Sequence, residues 1–226
     1  MESIVSWALA FIFSIAPPRA GRGELIEEAV ARYEQIAADA VAVAYDSTTP
    51  PLFAGRDGRA KTAALLLSVA FHESGFRKDV DLGIGPRARG DSGQSWCLMQ
   101  IKIGGGRTLE GWSGAELVRD RRLCFAAGLS AIRRSFVACR ANPTSERLNA
   151  YTSGSCSRGA TQSRARMESA IAWFSQRLIP VDRDDIAVMN AREVTRDRGQ
   201  EVASPEIGER WPASVAPTAR LEEGER

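Results

Sequence analysis

The sequence predicts a mainly α-helical single domain followed by a charged, disordered tail. Three observations carry that expectation: apolar residues recur at spacings of three and four in several stretches, no period-two strand pattern of any length is present, and the composition changes after Pro180. A length of 226 residues and a mass of 24.5 kDa suit one ordinary domain plus a tail. Hydrophobic residues at 44% and charged residues at 26% exclude a wholly disordered, collagen-like or transmembrane chain.

Residues 1–22 are a hydrophobic segment. Its apolar run, 4–16, is shorter than the roughly 20 residues that span a bilayer, so no stable membrane span is expected. Glu2 and no Lys or Arg precede the run, whereas a cleavable signal has a positive charge there; Ser14-Ile15-Ala16 has cleavage-site spacing but Pro17 follows at once. Both a secretion signal and a helix packed on the domain remain open. The domain itself is expected over 23–180. Residues 24–44 carry Leu25, Ile26, Ala29, Val30, Tyr33, Ile36, Ala37, Ala40, Val41 and Ala44 on one helical stripe. Turn chemistry fills 46–58, and 61–74 is apolar on nearly every side, which demands a helix at the centre of the core. Gly75 is placed to end it in a left-handed cap.

The polar, Gly-rich stretch 77–93 reads as a surface loop or short hairpin, and Gly104-Gly105-Gly106 breaks the chain again. Ser113 with Glu116 three residues later makes a capping box, opening a helix expected to run over 113–140 and to end before Asn142-Pro143. Residues 145–151 and 162–178 are two further helices, separated by Gly154 and Gly159. Residues 181–226 are dense in both charges with little apolar periodicity and only Trp211 as a large anchor, so disorder is expected there.

The net charge of +2 conceals an asymmetry. Before Val181 the chain has 23 basic and 17 acidic residues; from there on it has 7 and 11, so a body of about +6 carries a tail of about −4. Such a body suits an anionic partner, and cell-wall polymer, nucleic acid and acidic membrane all qualify. The four cysteines, Cys97, Cys124, Cys139 and Cys156, include no CxxC pair and share the chain with one histidine, which disfavours structural zinc. Disulfides in an oxidising compartment are the expectation, with buried free thiols as the alternative. If 113–140 is one helix, Cys124 and Cys139 lie fifteen residues, about 22 Å, apart and cannot pair. Cys97–Cys124 with Cys139–Cys156, or Cys97–Cys139 with Cys124–Cys156, remain; the first is preferred because the Asn142-Pro143 turn folds the next helix back toward Cys139.

Several motif-like stretches fail on chemistry. His72-Glu73 lacks the second histidine of a zinc protease, since position 76 is Phe. Gly90-Asp91-Ser92-Gly93 resembles a serine-protease nucleophile, but its only possible base, His72, precedes it in a helical body. Gly104-Gly105-Gly106-Arg107-Thr108 lacks the ending of a phosphate-binding loop. Glu73 differs from these. It closes the most apolar helix, between Phe71 and Phe76, where desolvation raises a carboxyl pKa. An acid protonated near neutrality is what glycosidic cleavage needs, because the leaving oxygen must receive a proton. A lone glutamate in such a place is ordinarily structural; its company decides otherwise.

Glu73-Ser74-Gly75-Phe76, Cys97-Leu98-Met99-Gln100-Ile101 and Tyr151-Thr152-Ser153-Gly154 resemble, in order, the E-S-x-F, G-L-M-Q-I and Y-N-A-G signatures of the soluble lytic transglycosylase domain. That family has the lysozyme-like fold and is related to goose-type lysozymes. Leu117-Val118-Arg119-Asp120 and the following helix resemble its segment between the second and third motifs, and the resemblance covers about 59–178. Cys97 stands where Gly is usual, Thr152 where Asn is, and Gln94-Ser95 where Gly-Ala is common. The loop between Glu73 and Met99 is longer than usual, and the family's loop serine falls on Asp91, with Ser92 adjacent. Cys97 fits a branch of the family that staples this loop.

The resemblance implies cleavage between N-acetylmuramic acid and N-acetylglucosamine in peptidoglycan, with Glu73 as general acid and then base and a 1,6-anhydro product. Met99, Gln100 and Ser92 would bind the sugar chain, and Tyr151 would also hydrogen-bond or orient Glu73. Asp91 is the candidate second carboxylate for a hydrolytic muramidase of the same fold, and a non-catalytic wall-binding or assembly module is the further alternative. No metal or other cofactor is implied. The implied partner is the peptidoglycan glycan strand rather than nucleic acid, met by a monomer outside the cytoplasm, in the periplasm, in the medium or in a phage virion.

Overall fold

Eight helices and one short hairpin order the described residues, 2–19 and 24–180, of a computed structural model. Helix α1 (Glu2–Ile15) turns Ile4, Trp7, Ala8, Phe11 and Ile12 into the core. Its Phe11 stacks on Trp173 at 5.3 Å and Trp7 tilts against the same ring at 5.8 Å. Helix α2 (Ile26–Ala44) follows, and its buried face is the stripe Ala29, Tyr33, Ile36, Ala37, Ala40, Val41 and Ala44 expected from the spacing.

Helix α3 (Gly58–Ser74) is the hub, packed on α1, on α2 and on two helices introduced below. From Ala63 to Leu67 and again at Val69 and Ala70 its side chains are wholly buried on every face, each leucine contributing about 1.5–3 kcal/mol of burial. It begins three residues earlier than the apolar run suggests and stops at Gly75, whose φ of 59° is the expected left-handed cap.

The stretch expected to be loop or hairpin contains a single turn of helix, α4 (Lys78–Asp81), and a 3₁₀ turn at Asp91–Gly93. Beyond it β1 (Ser95–Trp96) and β2 (Ile101–Lys102) pair antiparallel, Ser95 opposite Lys102 and Trp96 opposite Ile101. Two residues per strand are too few to leave a periodic trace in the sequence.

The helix expected over 113–140 is two. Helix α5 (Gly114–Arg119) opens on the anticipated capping box, the Glu116 amide donating to Ser113 Oγ and the Ser113 amide to Glu116 Oε2. Asp120 then adopts extended backbone and its carboxylate accepts the Arg122 amide at 2.8 Å, capping α6 (Arg121–Ala138) afresh. A 3₁₀ turn at Thr144–Glu146, α7 (Asn149–Ser153) and α8 (Ala160–Gln176) complete the described chain, α8 lying along α3. Helix α6 also packs on α2 and α3.

The disulfides are Cys97–Cys124 and Cys139–Cys156, with α-carbons 6.1 and 5.3 Å apart. The first ties the hairpin to α6, and the second ties the end of α6 to the loop after α7. The expected tail, 181–226, lies outside the described residues.

Candidate active site

Glu73 occupies the last turn of α3, and the chain around it is held from several sides. Ser74 Oγ donates to the Ala70 carbonyl at 2.6 Å and accepts the Phe76 amide at 3.3 Å, while the Phe76 carbonyl accepts Arg32 Nη1 at 2.8 Å. Arg32 in turn chelates Glu24 at 2.7 and 2.9 Å, and the buried Asp81 chelates Arg121 at 2.6 and 3.0 Å with Arg32 at 3.7 Å. This buried network joins α2, α4 and α6 behind the turn that carries Glu73.

In front of Glu73 opens a cleft of about 790 Å³. Glu73 and Arg166 stand on one wall, and Gly90, Asp91, Ser95, Gln100, Ile101 and Lys102 on another. Arg134, Ser135 and Ala138 of α6 meet Tyr151, Thr152 and Gly154 around the rest. Three cations against two carboxylates give the lining a positive balance, which suits a negatively charged polymer.

The Glu73 carboxyl is one-fifth exposed, and Arg166 grips it from α8. Arg166 Nε and Nη2 both donate to Glu73 Oε1, at 3.1 and 2.7 Å. Burial raises the Glu73 pKa above the ordinary carboxylate value, outweighing the Arg166 charge and hydrogen bond that lower it; the Asp91 charge adds to the rise. His72 beside it shares a hydrogen bond with Ser169 at 3.1 Å, and burial followed by the Arg166 charge lowers its pKa.

Gln100 reaches the cleft from a tight turn between the strands. Its Oε1 accepts the Gly90 amide at 2.9 Å and its Nε2 donates to the Cys97 carbonyl at 3.0 Å. A side chain at Gly90 would collide with that amide group. Four non-glycine residues here, Asp91, Ser92, Cys97 and Gln100, have φ between 46° and 59°. Left-handed backbone in such residues costs of order 1–3 kcal/mol each and gathers where a structure must hold a special shape. The Cys97–Cys124 bridge and the Gln100 bonds brace this shape.

Not every expected sugar-binding residue faces the cleft. Met99 lies wholly inside the core against α6, where Gly128 leaves room that a Cβ would fill, and it contributes its carbonyl rather than its side chain. Tyr151 lines the cleft, but its hydroxyl donates to that Met99 carbonyl at 2.7 Å, so its one proton is not directed at Glu73 as expected. Burial, with the Glu73 charge, pushes the Tyr151 phenol well above its usual pKa. Ser92 is outside the lining, on the exposed 3₁₀ turn, whereas Asp91 lines it, accepting Ser95 Oγ at 2.8 Å and standing 3.9 Å from Lys102 Nζ.

Arg166 escaped the sequence reading, although a signal existed. Ser163, Arg166, Met167, Ala170 and Trp173 form the buried face of α8, so an arginine interrupts an otherwise buried stripe and requires an anion opposite. Among the described residues no group of three or more His, Cys, Asp or Glu side chains is placed to hold a metal ion. Comparison of the chain with protein-family models, with curated proteins and with solved structures gave no match, so the geometry and the three motifs together carry the functional reading.

Proposed function

We propose that the chain is a lysozyme-like lytic transglycosylase that cleaves the bond between N-acetylmuramic acid and N-acetylglucosamine in peptidoglycan. One observation carries the reading: a carboxyl with a raised pKa, Glu73, stands on the wall of a cleft that also holds Asp91, Gln100, Lys102, Arg134 and Arg166, at the end of a buried helix. The motif around Glu73, the hairpin turn carrying Gln100 and the motif around Tyr151 converge on that same cleft.

Protonated Glu73 donates to the glycosidic oxygen, and the bond from that oxygen to muramoyl C1 breaks with the electron pair leaving on oxygen. The 2-acetamido oxygen stabilises C1, a substrate-assisted route that needs no carboxylate nucleophile. The muramoyl C6 hydroxyl then attacks C1, its proton passes to Glu73, and the acetamido oxygen is released. Glu73 returns to its starting form, and the anhydro product contains no added water. Gln100 supports the cleft's shape, Tyr151 forms part of its wall, and Lys102, Arg134 and Arg166 supply positive charge toward an anionic glycan.

Asp91 favours a second reading. It lines the cleft and its charge acts on Glu73, and in this reading it would orient a water for hydrolysis. Both readings set the enzyme outside the cytoplasm, where peptidoglycan lies and where two disulfides persist. Digestion of purified peptidoglycan with mass analysis of the muropeptides separates them. The proposal expects anhydro-muropeptides one water lighter than the hydrolytic products; hydrolytic masses would favour Asp91 catalysis, and binding without turnover would favour a wall-binding module.

A further inference from the structure

The two hydrogen bonds from Arg166 fall on one oxygen of Glu73. Nε and Nη2 both donate to Oε1, while Oε2 takes no hydrogen bond among the described residues. Arg166 has little freedom to let go. Its side chain is about nine-tenths buried, its Nη1 donates to the Gln162 carbonyl at 2.8 Å, and its own carbonyl accepts Ser68 Oγ of α3 at 2.7 Å. An oxygen that accepts from two guanidinium N–H groups is a poor place for a proton, so a proton on this carboxyl belongs on Oε2.

We propose that Arg166 is a positioning residue that divides the Glu73 carboxyl into a fixed, permanently accepting Oε1 and a single working oxygen, Oε2, from which the proton is given and to which it returns. This rests on the reading of Glu73 as the acid and base of the cleft. The glycosidic oxygen and then the C6 hydroxyl must therefore approach the same oxygen in turn. Arg166 also assists the second half of the reaction, because Glu73 is an anion between the two proton transfers and the guanidinium supports it there.

The other groups facing Glu73 do not substitute for this arrangement. Tyr151 from α7 commits its proton to Met99, and His72 of α3 is turned to Ser169. Asp91 repels the Glu73 charge, Lys102 is drawn toward Asp91, and Arg134 of α6 is paired with Glu110 at 3.0 Å.

The test titrates the carboxyl directly, by carbon NMR of glutamate-labelled full-length wild type, Arg166→Met and Arg166→Lys, with Glu73→Gln to assign the signal. Removal of the charge in Arg166→Met should move the Glu73 midpoint to higher pH, whereas Arg166→Lys should leave it nearer wild type. With purified peptidoglycan, Arg166→Met should lower kcat by about 10- to 100-fold with KM much less affected, and the alkaline limb of its pH–rate profile should shift with the NMR midpoint. Arg166→Lys should recover part of kcat. An unchanged Glu73 midpoint and kcat in folded Arg166→Met would overturn the proposal. If that variant does not fold, the same comparison with Arg166→Gln decides. Full activity in Glu73→Gln would instead remove the underlying reading, and the NMR midpoints would still report whether Arg166 controls the carboxyl.

Discussion

Two opposing effects meet at the Glu73 side chain: burial favours its neutral form, and the Arg166 guanidinium favours its anion. Burial prevails, so the pKa lies above that of an unfolded glutamate, and the sign of the linkage follows. The native state holds this proton more tightly than the unfolded state. The resulting stabilisation is fully present below the unfolded pKa, about 4.3, and is lost as pH rises through the native pKa. Melting temperature measured against pH should therefore decline across that window more steeply in wild type than in Glu73→Gln, which has no proton to lose. Parallel curves would show that Glu73 does not titrate abnormally. Its elevated pKa was legible in the sequence, because Phe71, Phe76 and the apolar helix foretell desolvation. The partnership with Arg166 was less so, since the two residues are 93 positions apart and only the interruption of the α8 stripe betrays it.

At the level of elements, local signals identified what local interactions hold. The capping box at Ser113 and the glycine after Ser74 marked real helix ends. Asp120 shows the converse: the single helix expected over 113–140 breaks there, because its carboxylate caps a new helix. The disulfide pairing was within reach because helix rise forbids Cys124–Cys139, leaving two choices. Thiol titration of the unreduced, denatured protein should find no free thiols, and four would contradict the bridges. The Asp81 network lay beyond local reading, as Arg121 is 40 residues away. Asp81→Asn removes the charge between buried Arg32 and half-buried Arg121 and should cost about 3–5 kcal/mol, measurable by denaturant unfolding. A loss under 1 kcal/mol would show that the network does not brace the turn behind Glu73.

Across the described residues, α1, α2, α6 and α8 surround α3, so the burial of α3 and the chemistry at its end are one feature. The contribution of α1 to this core can be measured at Phe11, wholly buried against Trp173. Phe11→Ala should cost about 3–5 kcal/mol and lower the melting temperature by roughly 6–20 °C. No change would mean that α1 does not belong to the folded body. Composition alone assigns no such part to 181–226, and truncation after Pro180 should leave melting temperature and activity nearly unchanged. A large loss of soluble protein would show that the tail docks. The proposed function gives this assembly one task, to present one carboxyl to a glycan strand. Its most direct test is the turnover of purified peptidoglycan by Glu73→Gln beside wild type, with sedimentation binding to the same material. Turnover should fall about 10²- to 10⁴-fold with binding and fold retained; a Glu73→Gln variant that cleaves peptidoglycan at a wild-type rate would overturn the reading.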